Sequence, residues 1–260
     1  MSTILDIQKV TSKHNTSVRS KPIEYIVVHY TAGATSVKGK AVDNALYYAQ
    51  TTEKASADFF IDDATIVQYN PCPEERYCWA VGGKQADTSQ GGGKFWKIAG
   101  NGNCINVEMC STNTTGKPGN PNDPTYMFTS GVMKNAANLV KYLMCEFDIP
   151  IGNVIRHFDV TGKLCPGVIG WNEASGDSLK WKTFKTLCTV PSVPNERFDA
   201  IYQMPIWAKP TIKKLCDMGY LRGNETVYDI NGRPADLDLS MDMIRMMVIE
   251  DRAGLYGGVV

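Results

Sequence analysis

Two histidines and one cysteine that lie far apart in the sequence constrain the fold of this chain more than any other feature. The chain has three histidines, and two of them, His29 and His157, lie in short distinctive segments, with Cys165 eight residues beyond the second. Two imidazoles and a thiolate are suitable ligands for a tetrahedral zinc ion whose fourth position is left to water. The sequence therefore predicts a fold that brings these three side chains together around a catalytic zinc ion.

The segments around the three side chains indicate how they are presented. His29 is next to last in an apolar, β-branched run, residues 25–30, which predicts a central strand. Because side chains alternate along a strand, Val27 and His29 are predicted to face the same side, and His29, near the strand's end, is expected to reach a groove at the sheet's edge. His157 and Cys165 are predicted to lie in one loop. A buried, hydrogen-bonded histidine and an inert core thiol are the simpler alternatives.

Alternating strand and helix patterns predict an α/β fold with a mixed central β-sheet flanked by α-helices. Apolar residues at helical spacing predict a helix over residues 40–50 and a longer one through Val132, Ala136, Leu139, Val140, Leu143 and Phe147. Short apolar runs at 59–61 and 66–69 flank a polar segment and predict a hairpin, and residues 105–109 predict a further strand.

The composition changes near residue 190, which predicts two domains. Residues 1–190 are expected to form the catalytic domain, and the proline-spaced residues 191–200 an extended linker. Residues 201–260 are expected to form a small helical module. Its first helix is predicted within residues 207–215 and its second has Ser240 as N-cap.

Five segments of the first domain match a known family in order: 27–32 (Val-Val-His-Tyr-Thr-Ala), 55–57 (Ala-Ser-Ala), 79–82 (Trp-Ala-Val-Gly), 104–108 (Cys-Ile-Asn-Val-Glu) and 156–167. Together they resemble the zinc-dependent N-acetylmuramoyl-L-alanine amidases of type 2, which share the fold of peptidoglycan-recognition proteins and occur as phage endolysins and bacterial autolysins. The resemblance implies Zn²⁺ on His29, His157 and Cys165. It also implies hydrolysis of the amide between N-acetylmuramic acid and L-alanine in peptidoglycan.

Two further residues are candidates for catalysis. Zinc alone does not hydrolyse an amide, because a base must accept the proton of the attacking water. Glu108 is a lone carboxylate in the apolar run 105–109, where burial is costly unless the group has a task, and the resemblance implies a catalytic glutamate here. Lys163 is placed to stabilise developing negative charge, as a lysine does in some family members. A structural salt bridge for Glu108 and a surface position for Lys163 are the alternatives.

The resemblance also indicates residues that contact substrate. Trp79, Tyr30 and Thr31 are predicted to bind it. An exposed tryptophan can stack on a sugar face or pack on a peptide stem, although Trp79 has a core position as its alternative.

Two carboxylates near these segments have supporting or uncertain roles. Asp159 is predicted to orient His157 or hold its loop, with turn capping as an equal alternative. Asp58 is a departure from the family, because many relatives have histidine or tyrosine there. The departure removes one auxiliary donor and leaves the three zinc ligands intact.

The Trp-Ala start, glycine turn and second helix of residues 201–260 are similar to a single S-layer homology module. Such modules usually come in threes and hold secondary wall polymers, so a single copy is a departure. The resemblance implies binding of a wall polymer. Self-association is an equal alternative, and the module could also merely cap the enzyme.

Charge and hydropathy limit the other partners. Lys and Arg number 27, as do Asp and Glu, so no nucleic-acid partner is expected. The first ten residues lack an apolar stretch of signal-peptide length and no segment predicts membrane insertion. We therefore expect cytoplasmic synthesis followed by action on the bacterial cell wall after holin-type release. The eight cysteines are expected to be reduced, with pairing of Cys72 and Cys78 left open.

Three functions follow from these observations. The leading one is a zinc amidase. A non-catalytic peptidoglycan-binding protein of the same fold is the second, although binders commonly lose the metal cysteine. A cysteine hydrolase that uses Cys165 with His157 is the third, and the proline directly after the thiol fits zinc better.

Overall fold

The computed structural model describes residues 6–82, 84–120, 122–167, 169–172, 178–189 and 197–256. Contacts divide the chain into two compact units, one of Asp6–Thr189 and one that contains residues 197–256. Most of the predicted linker, residues 191–196, lies outside the described residues. None of the described helices combines the length and the apolar character that a membrane span requires.

The first unit is built on a six-stranded mixed sheet. In their order across the sheet, its strands are β1 (Ile7–Lys9), β5 (Ile66–Gln68), β4 (Phe59–Ile61), β7 (Cys104–Met109), β3 (Tyr25–Tyr30) and β8 (Val154–Arg156). A separate antiparallel pair is formed by β2 (Thr16–Val18) and β6 (Arg76–Cys78).

The centre of the sheet is parallel and buried. Strand β3 runs parallel to β7 on one side and to β8 on the other, and Ile26, Val27 and Val28 have no exposed surface. A strand that is covered on both faces needs a nearly continuous apolar run, which residues 25–30 provide. The predicted strands at 25–30 and 105–109 are confirmed, and the mixed α/β fold is the one expected.

The predicted hairpin is also confirmed, since β4 and β5 pair antiparallel around the turn at residues 62–65. Asp62 holds this turn by accepting hydrogen bonds from the backbone N–H groups of Ala64 and Thr65. Its other oxygen accepts from the N–H groups of Gly39 and Ala41 at the start of the first helix. One carboxylate therefore fastens the hairpin to a helix N-terminus, where negative charge is favourable.

Helices cover the sheet. Helix α1 (Lys40–Gln50) packs Ala41 and Ala45 against Phe60, and α2 (Ser130–Glu146) begins at Thr129, whose hydroxyl accepts from the N–H of Val132. Both predicted helices are confirmed. Two shorter helices follow, α3 (His157–Thr161) and α4 (Leu179–Leu187). The segment 157–165 was expected to be a loop throughout, and its first five residues instead form α3.

The second unit contains helices α5 (Lys209–Asp217) and α6 (Met241–Arg252), a 3-10 turn (Ile201–Gln203) and an antiparallel pair, β9 (Arg197–Phe198) and β10 (Leu239–Ser240). Its core consists of Phe198, Ile201, Met204, Ala208, Ile212, Leu215, Leu239, Ile244 and Val248. Ser240 is the N-cap of α6, as predicted, and its hydroxyl accepts from the N–H of Met243. The sequence did not predict the β9–β10 pair.

Candidate metal centre and groove

The three predicted zinc ligands lie together in the structure. His29 is near the end of β3, and His157 begins α3 directly after β8, the parallel neighbour of β3. Cys165 follows α3 within the same segment. All three side chains are buried, and their ligand atoms lie within 4.8 Å of one another. Within the described part of the chain, this is the only such group of three metal-binding side chains.

The two distances from His29 to the other ligands are close to those of a tetrahedral zinc site. The Nδ1 atoms of His29 and His157 are 3.1 Å apart, and the Sγ of Cys165 lies 3.8 Å from Nδ1 of His29. Zinc bonds of about 2.0–2.1 Å to nitrogen and 2.3 Å to sulfur, at tetrahedral angles, place two nitrogens about 3.3 Å apart and nitrogen and sulfur about 3.6 Å apart. The donor set and its spacing therefore suit this ion.

Burial keeps the two imidazoles neutral. It lowers the pKa of His29 to about 3 and lowers the pKa of His157 well below its usual value, where the neighbouring His29 acts in the same direction. Neutral imidazoles are the form that binds metals. Burial also raises the pKa of the Cys165 thiol to about 12, so a metal ion has to displace its proton on binding.

Local backbone geometry allows His157 and Cys165 to approach one another. Helix α3 ends at Gly162, whose φ of 84° lies in the left-handed region that favours glycine. A Cβ at this position would lie 2.8 Å from the carbonyl oxygen of Asp87. Glycine at 162 thus permits both the turn and the close approach of the neighbouring segment.

Glu108 lies beside the cluster. It pairs in register with His29 across the parallel strands β7 and β3, so the two side chains lie on the same face of the sheet. Its Oε2 atom is buried and has no hydrogen-bond partner among the described residues. Burial raises the pKa of Glu108 to about 7, and the positive charge of Lys163 opposes this shift. Such a carboxyl group changes protonation state near neutral pH, as a general base must.

A groove of about 590 Å³ lies next to His157. The described residues that line it include no carboxylate; they are Lys54, Ala55, Trp79, Ala80, Gly82, Lys84, Ala86, Asn101, His157, Thr161 and Lys163. The exposed Lys163 thus faces the groove, as expected for a residue that acts on substrate. Trp79 is partly buried and donates its indole N–H to the hydroxyl of Ser17 at 2.9 Å, which fixes the ring at the wall of the groove.

The other predicted substrate residues lie elsewhere. Tyr30 is 6% exposed and packs edge-on against Tyr126 in a small cluster with Cys165. The hydroxyl of Thr31 accepts from the N–H groups of Gly33 and Ser111 and holds the chain where it leaves β3. Neither residue lines the groove, so contact with substrate remains a prediction for both.

Asp159 makes its side-chain hydrogen bonds to Arg156. Its carboxylate accepts from the backbone N–H of Arg156 at 2.8 Å and from the guanidinium Nε and Nη2 atoms at 2.9 and 2.5 Å. Both side chains are largely buried. This pair closes the first turn of α3, and it therefore fixes the backbone from which His157 projects.

Two buried residues behind His29, Asn106 and Asp58, form a chain of hydrogen bonds to the metal cluster that the sequence did not predict. The side-chain oxygen of Asn106 lies 3.1 Å from Nε2 of His29, and Asp58 accepts hydrogen bonds from both the backbone and the side-chain N–H groups of Asn106. One signal was available for Asn106, because it lies two residues before Glu108 on the same strand and therefore on the same face. The contact with Asp58 depends on strand pairing and has no local signal.

The fold and the site together define an α/β protein with a buried His-His-Cys cluster suited to zinc, with a carboxyl group of raised pKa beside it and an open groove next to it. The family model for N-acetylmuramoyl-L-alanine amidase matches residues 19–168, more than half of the chain and all three predicted ligands. The chain belongs to this family.

Individual relatives agree with this assignment. The chain is 29% identical over 160 residues to the N-acetylmuramoyl-L-alanine amidase CwlL of Bacillus licheniformis, a match that covers 61% of this chain and 40% of that protein. It is 32% identical over 142 residues to XlyA of Bacillus subtilis strain 168, which has the same description, and there the match covers 55% of this chain and 39% of that protein. The chain thus spans about two fifths of the length of these relatives.

A solved structure resembles the fold. The structure of PlyL superposes with a TM-score of 0.50 at 24% identity, covering 73% of this chain and all of that one. This similarity concerns the fold alone.

Proposed function

We propose that this protein is a zinc hydrolase that cleaves the amide between N-acetylmuramic acid and L-alanine in bacterial peptidoglycan. The observation that carries the proposal is the buried cluster of His29, His157 and Cys165, whose ligand atoms lie within 4.8 Å of one another next to a groove. Membership of the amidase family supports the choice of this bond.

The three ligands would hold the zinc ion with two neutral nitrogens and one thiolate. When bound, zinc supplies Lewis-acid chemistry, polarising the scissile carbonyl and making a water more acidic. A set of three protein ligands, as His29, His157 and Cys165 would provide, is typical of catalytic rather than structural zinc sites.

Glu108 would act as the general base. With a pKa of about 7 it accepts a proton from the attacking water and then returns it to the leaving amine of L-alanine. Its unpartnered buried oxygen supports this role better than a structural salt bridge, since no ion pair of Glu108 is found among the described residues.

Lys163 would stabilise the negative charge that develops on the carbonyl oxygen. Lys163 is exposed at the groove, and its positive charge acts on the pKa values of Glu108, His29 and Cys165, which supports this role. Placing a cation where charge develops is an effective way to lower the barrier of acyl transfer.

The groove would hold the peptide stem and the adjoining sugar. Lys54, Lys84 and Lys163 give its lining a positive character, and Trp79 offers an aromatic surface. Peptidoglycan stems carry free carboxylates, so this lining has the complementary charge.

The cysteine hydrolase is disfavoured by the environment of its thiol. A nucleophilic cysteine needs a lowered pKa, whereas burial raises the pKa of Cys165 to about 12. The non-catalytic binding protein is disfavoured because it has no use for Glu108 with its costly burial beside the cluster.

We further propose that residues 201–260 attach the enzyme to a secondary wall polymer, with self-association as the alternative. The exposed rings of Trp207, Tyr220 and Tyr228 support a carbohydrate ligand, since aromatic faces stack on sugars. Sedimentation of residues 197–260 with purified walls, beside light scattering of the free protein, separates the two.

We also propose that the enzyme reaches the wall after holin-type release, which co-expression with and without a holin tests by following lysis.

The decisive experiment measures zinc content and the release of free amino termini from purified peptidoglycan, with and without a chelator. We expect one zinc per chain, chelator-sensitive release of L-alanine amino termini, and loss of both in Cys165→Ser. Cys188→Ser is the matched control, because Cys188 is equally buried and lies at the end of α4. Bound zinc without cleavage of any wall type would instead support the binding protein, and chelator-resistant cleavage that is lost on alkylation would support the cysteine hydrolase.

A further inference from the structure

A buried chain of hydrogen bonds runs from His29 to Asp58, a carboxylate for which the proposed reaction has no use. Nε2 of His29 lies 3.1 Å from Oδ1 of Asn106. Asn106 in turn donates to Oδ2 of Asp58 from its side-chain Nδ2 at 3.3 Å and from its backbone N–H at 2.7 Å. Asp58 and Asn106 have no exposed surface, and His29 is 2% exposed.

The carboxylate determines which way the Asn106 amide faces. An amide end that points toward a carboxylate must be the NH₂ end, because a carboxylate accepts and does not donate. Asn70 donates to the other oxygen of Asp58 at 2.7 Å, so both carboxylate oxygens are engaged as acceptors. The opposite end of the Asn106 amide is therefore its carbonyl oxygen, and this is the end that faces His29.

The amide in turn determines the tautomer of His29. A carbonyl oxygen 3.1 Å from Nε2 requires a proton on Nε2, and a neutral imidazole then has its lone pair on Nδ1. Nδ1 is the atom that points toward His157 and Cys165. The reverse amide orientation would favour a proton on Nδ1 and would block that ligand atom.

We propose that Asp58 and Asn106 are positioning residues that hold His29 as the Nε2–H tautomer and thereby leave Nδ1 free to bind the metal. This inference rests on the proposed zinc site. It also gives a role to Asp58, the residue at which the chain departs from its family. Asp58 faces Asn106 and is not among the residues that line the groove.

The strand register explains how these residues meet. Asn106 lies on β7 opposite Val27 of β3, two residues before Glu108, and Asp58 directly precedes β4, the other neighbour of β7. The backbone N–H of Asp58 also donates to the carbonyl oxygen of Asn106 at 3.0 Å. Three adjacent segments of the sheet thus fix the chain of hydrogen bonds from His29 to Asp58. The side chains therefore have little conformational entropy left to lose when the metal binds.

The first test reads the tautomer in the metal-free wild-type protein from the imidazole ¹⁵N chemical shifts. The chain has three histidines, and His14→Gln assigns one of them, which leaves two buried rings to distinguish. We expect the proton of His29 on Nε2. A proton on Nδ1, or fast exchange between the two forms, would overturn the inference, and this test requires no substitution at Asp58 or Asn106.

The second test measures zinc affinity by competition with a chelator in Asn106→Leu and Asp58→Asn. We expect affinity to fall about 10- to 100-fold in both, as is usual when the partner of a ligating histidine is removed. Asn103→Leu is the matched control, since Asn103 is also a buried asparagine, lies just before β7 and hydrogen-bonds to Glu24 instead. It should lower the melting temperature while changing zinc affinity less than about threefold.

The outcomes separate the two proposals. Wild-type affinity in Asn106→Leu, or an equal loss in Asn103→Leu, would mean that Asn106 is only structural. If the wild-type protein binds zinc with His29 in the expected tautomer and yet cleaves no peptidoglycan, the positioning role stands and the amidase proposal fails.

Discussion

The two parts of the first unit that take part in the proposed chemistry differ in their exposure to water. The metal end, defined as His29, Asn106, Glu108, His157 and Cys165, is mostly buried and rests on paired strands and one short helix. The groove rim, defined as Lys54, Lys84 and Lys163, consists of exposed side chains.

The comparison shows what burial does to a functional group. At the metal end, desolvation is the first cause of every pKa shift, lowering the pKa of both histidines and raising that of Glu108 and Cys165. At the groove rim, water surrounds the charges and weakens their interactions, which also become sensitive to salt. Changes at the metal end should therefore be large and insensitive to salt, and changes at the rim smaller and salt-dependent.

The largest expected effect is that of Glu108→Gln on turnover. Removal of the base should lower kcat about 10³-fold, since general base catalysis contributes about 10²–10⁴-fold. Zinc content should stay at one per chain, because Glu108 is not among the three ligands. Steady-state release of amino termini, with metal analysis of the same sample, measures both. Activity near the wild-type level would show that another group is the base.

Lys163→Met tests whether this residue of the groove rim also takes part in the chemistry at the metal end. If its ammonium stabilises the transition state, kcat should fall about 10²-fold with little change in KM. A rise in KM at constant kcat would assign Lys163 to the groove rim alone. Lys163→Arg should recover part of the rate, because it restores the charge at an altered position.

Glu108→Gln should also stabilise the metal-free protein. The pKa of Glu108 is raised from 4.5 to about 7 in the folded chain, so this group lowers stability progressively as the pH rises from about 4.5 to 7. We expect a gain of about 3 kcal/mol at pH 8 and less than about 1 kcal/mol at pH 5, where the folded carboxyl group is protonated. Thermal unfolding at the two pH values measures the difference. An equal gain at both would assign the effect to packing.

The pH profile tests the same group in the active enzyme. Because Glu108 must be ionised to accept a proton, kcat/KM should fall about tenfold per pH unit below about pH 7. Zinc must be saturating throughout, since acid also protonates the metal ligands. An activity that stays level down to pH 5 would contradict a base with this pKa.

The smallest effect is expected at the groove rim. Lys84→Gln should raise KM about twofold to threefold at low salt, and the difference should vanish near 1 M salt. Lys182→Gln on α4 is the matched control, because Lys182 is equally exposed and does not line the groove. A rise in KM that is the same at low and high salt would show that Lys84 makes a specific contact with substrate. It would then not act through the long-range electrostatic potential of the groove.

Local patterns predicted much of the fold. The apolar run at 25–30, the helical spacing at 40–50 and the hairpin around residues 62–65 are signals contained in a few consecutive residues, and all three elements are present. The start of α3 was missed because its first turn depends on the contact between Asp159 and Arg156, which the sequence did not predict. The β9–β10 pair was missed because two-residue strands have no usable periodicity.

The sequence by itself determined the chemistry that is available here. Two imidazoles and a thiol were enough to predict a zinc site, because ligand type is a property of the side chain alone, and the resemblance of their segments to the amidase family implied hydrolysis. Tertiary structure decided how these groups are tuned. The pairing of β3 with β7 places His29 beside Glu108, and the position of Asp58 next to Asn106 orients the amide that faces His29. Desolvation and hydrogen-bond direction depend on neighbours that are distant in sequence, and only the folded chain brings those neighbours together.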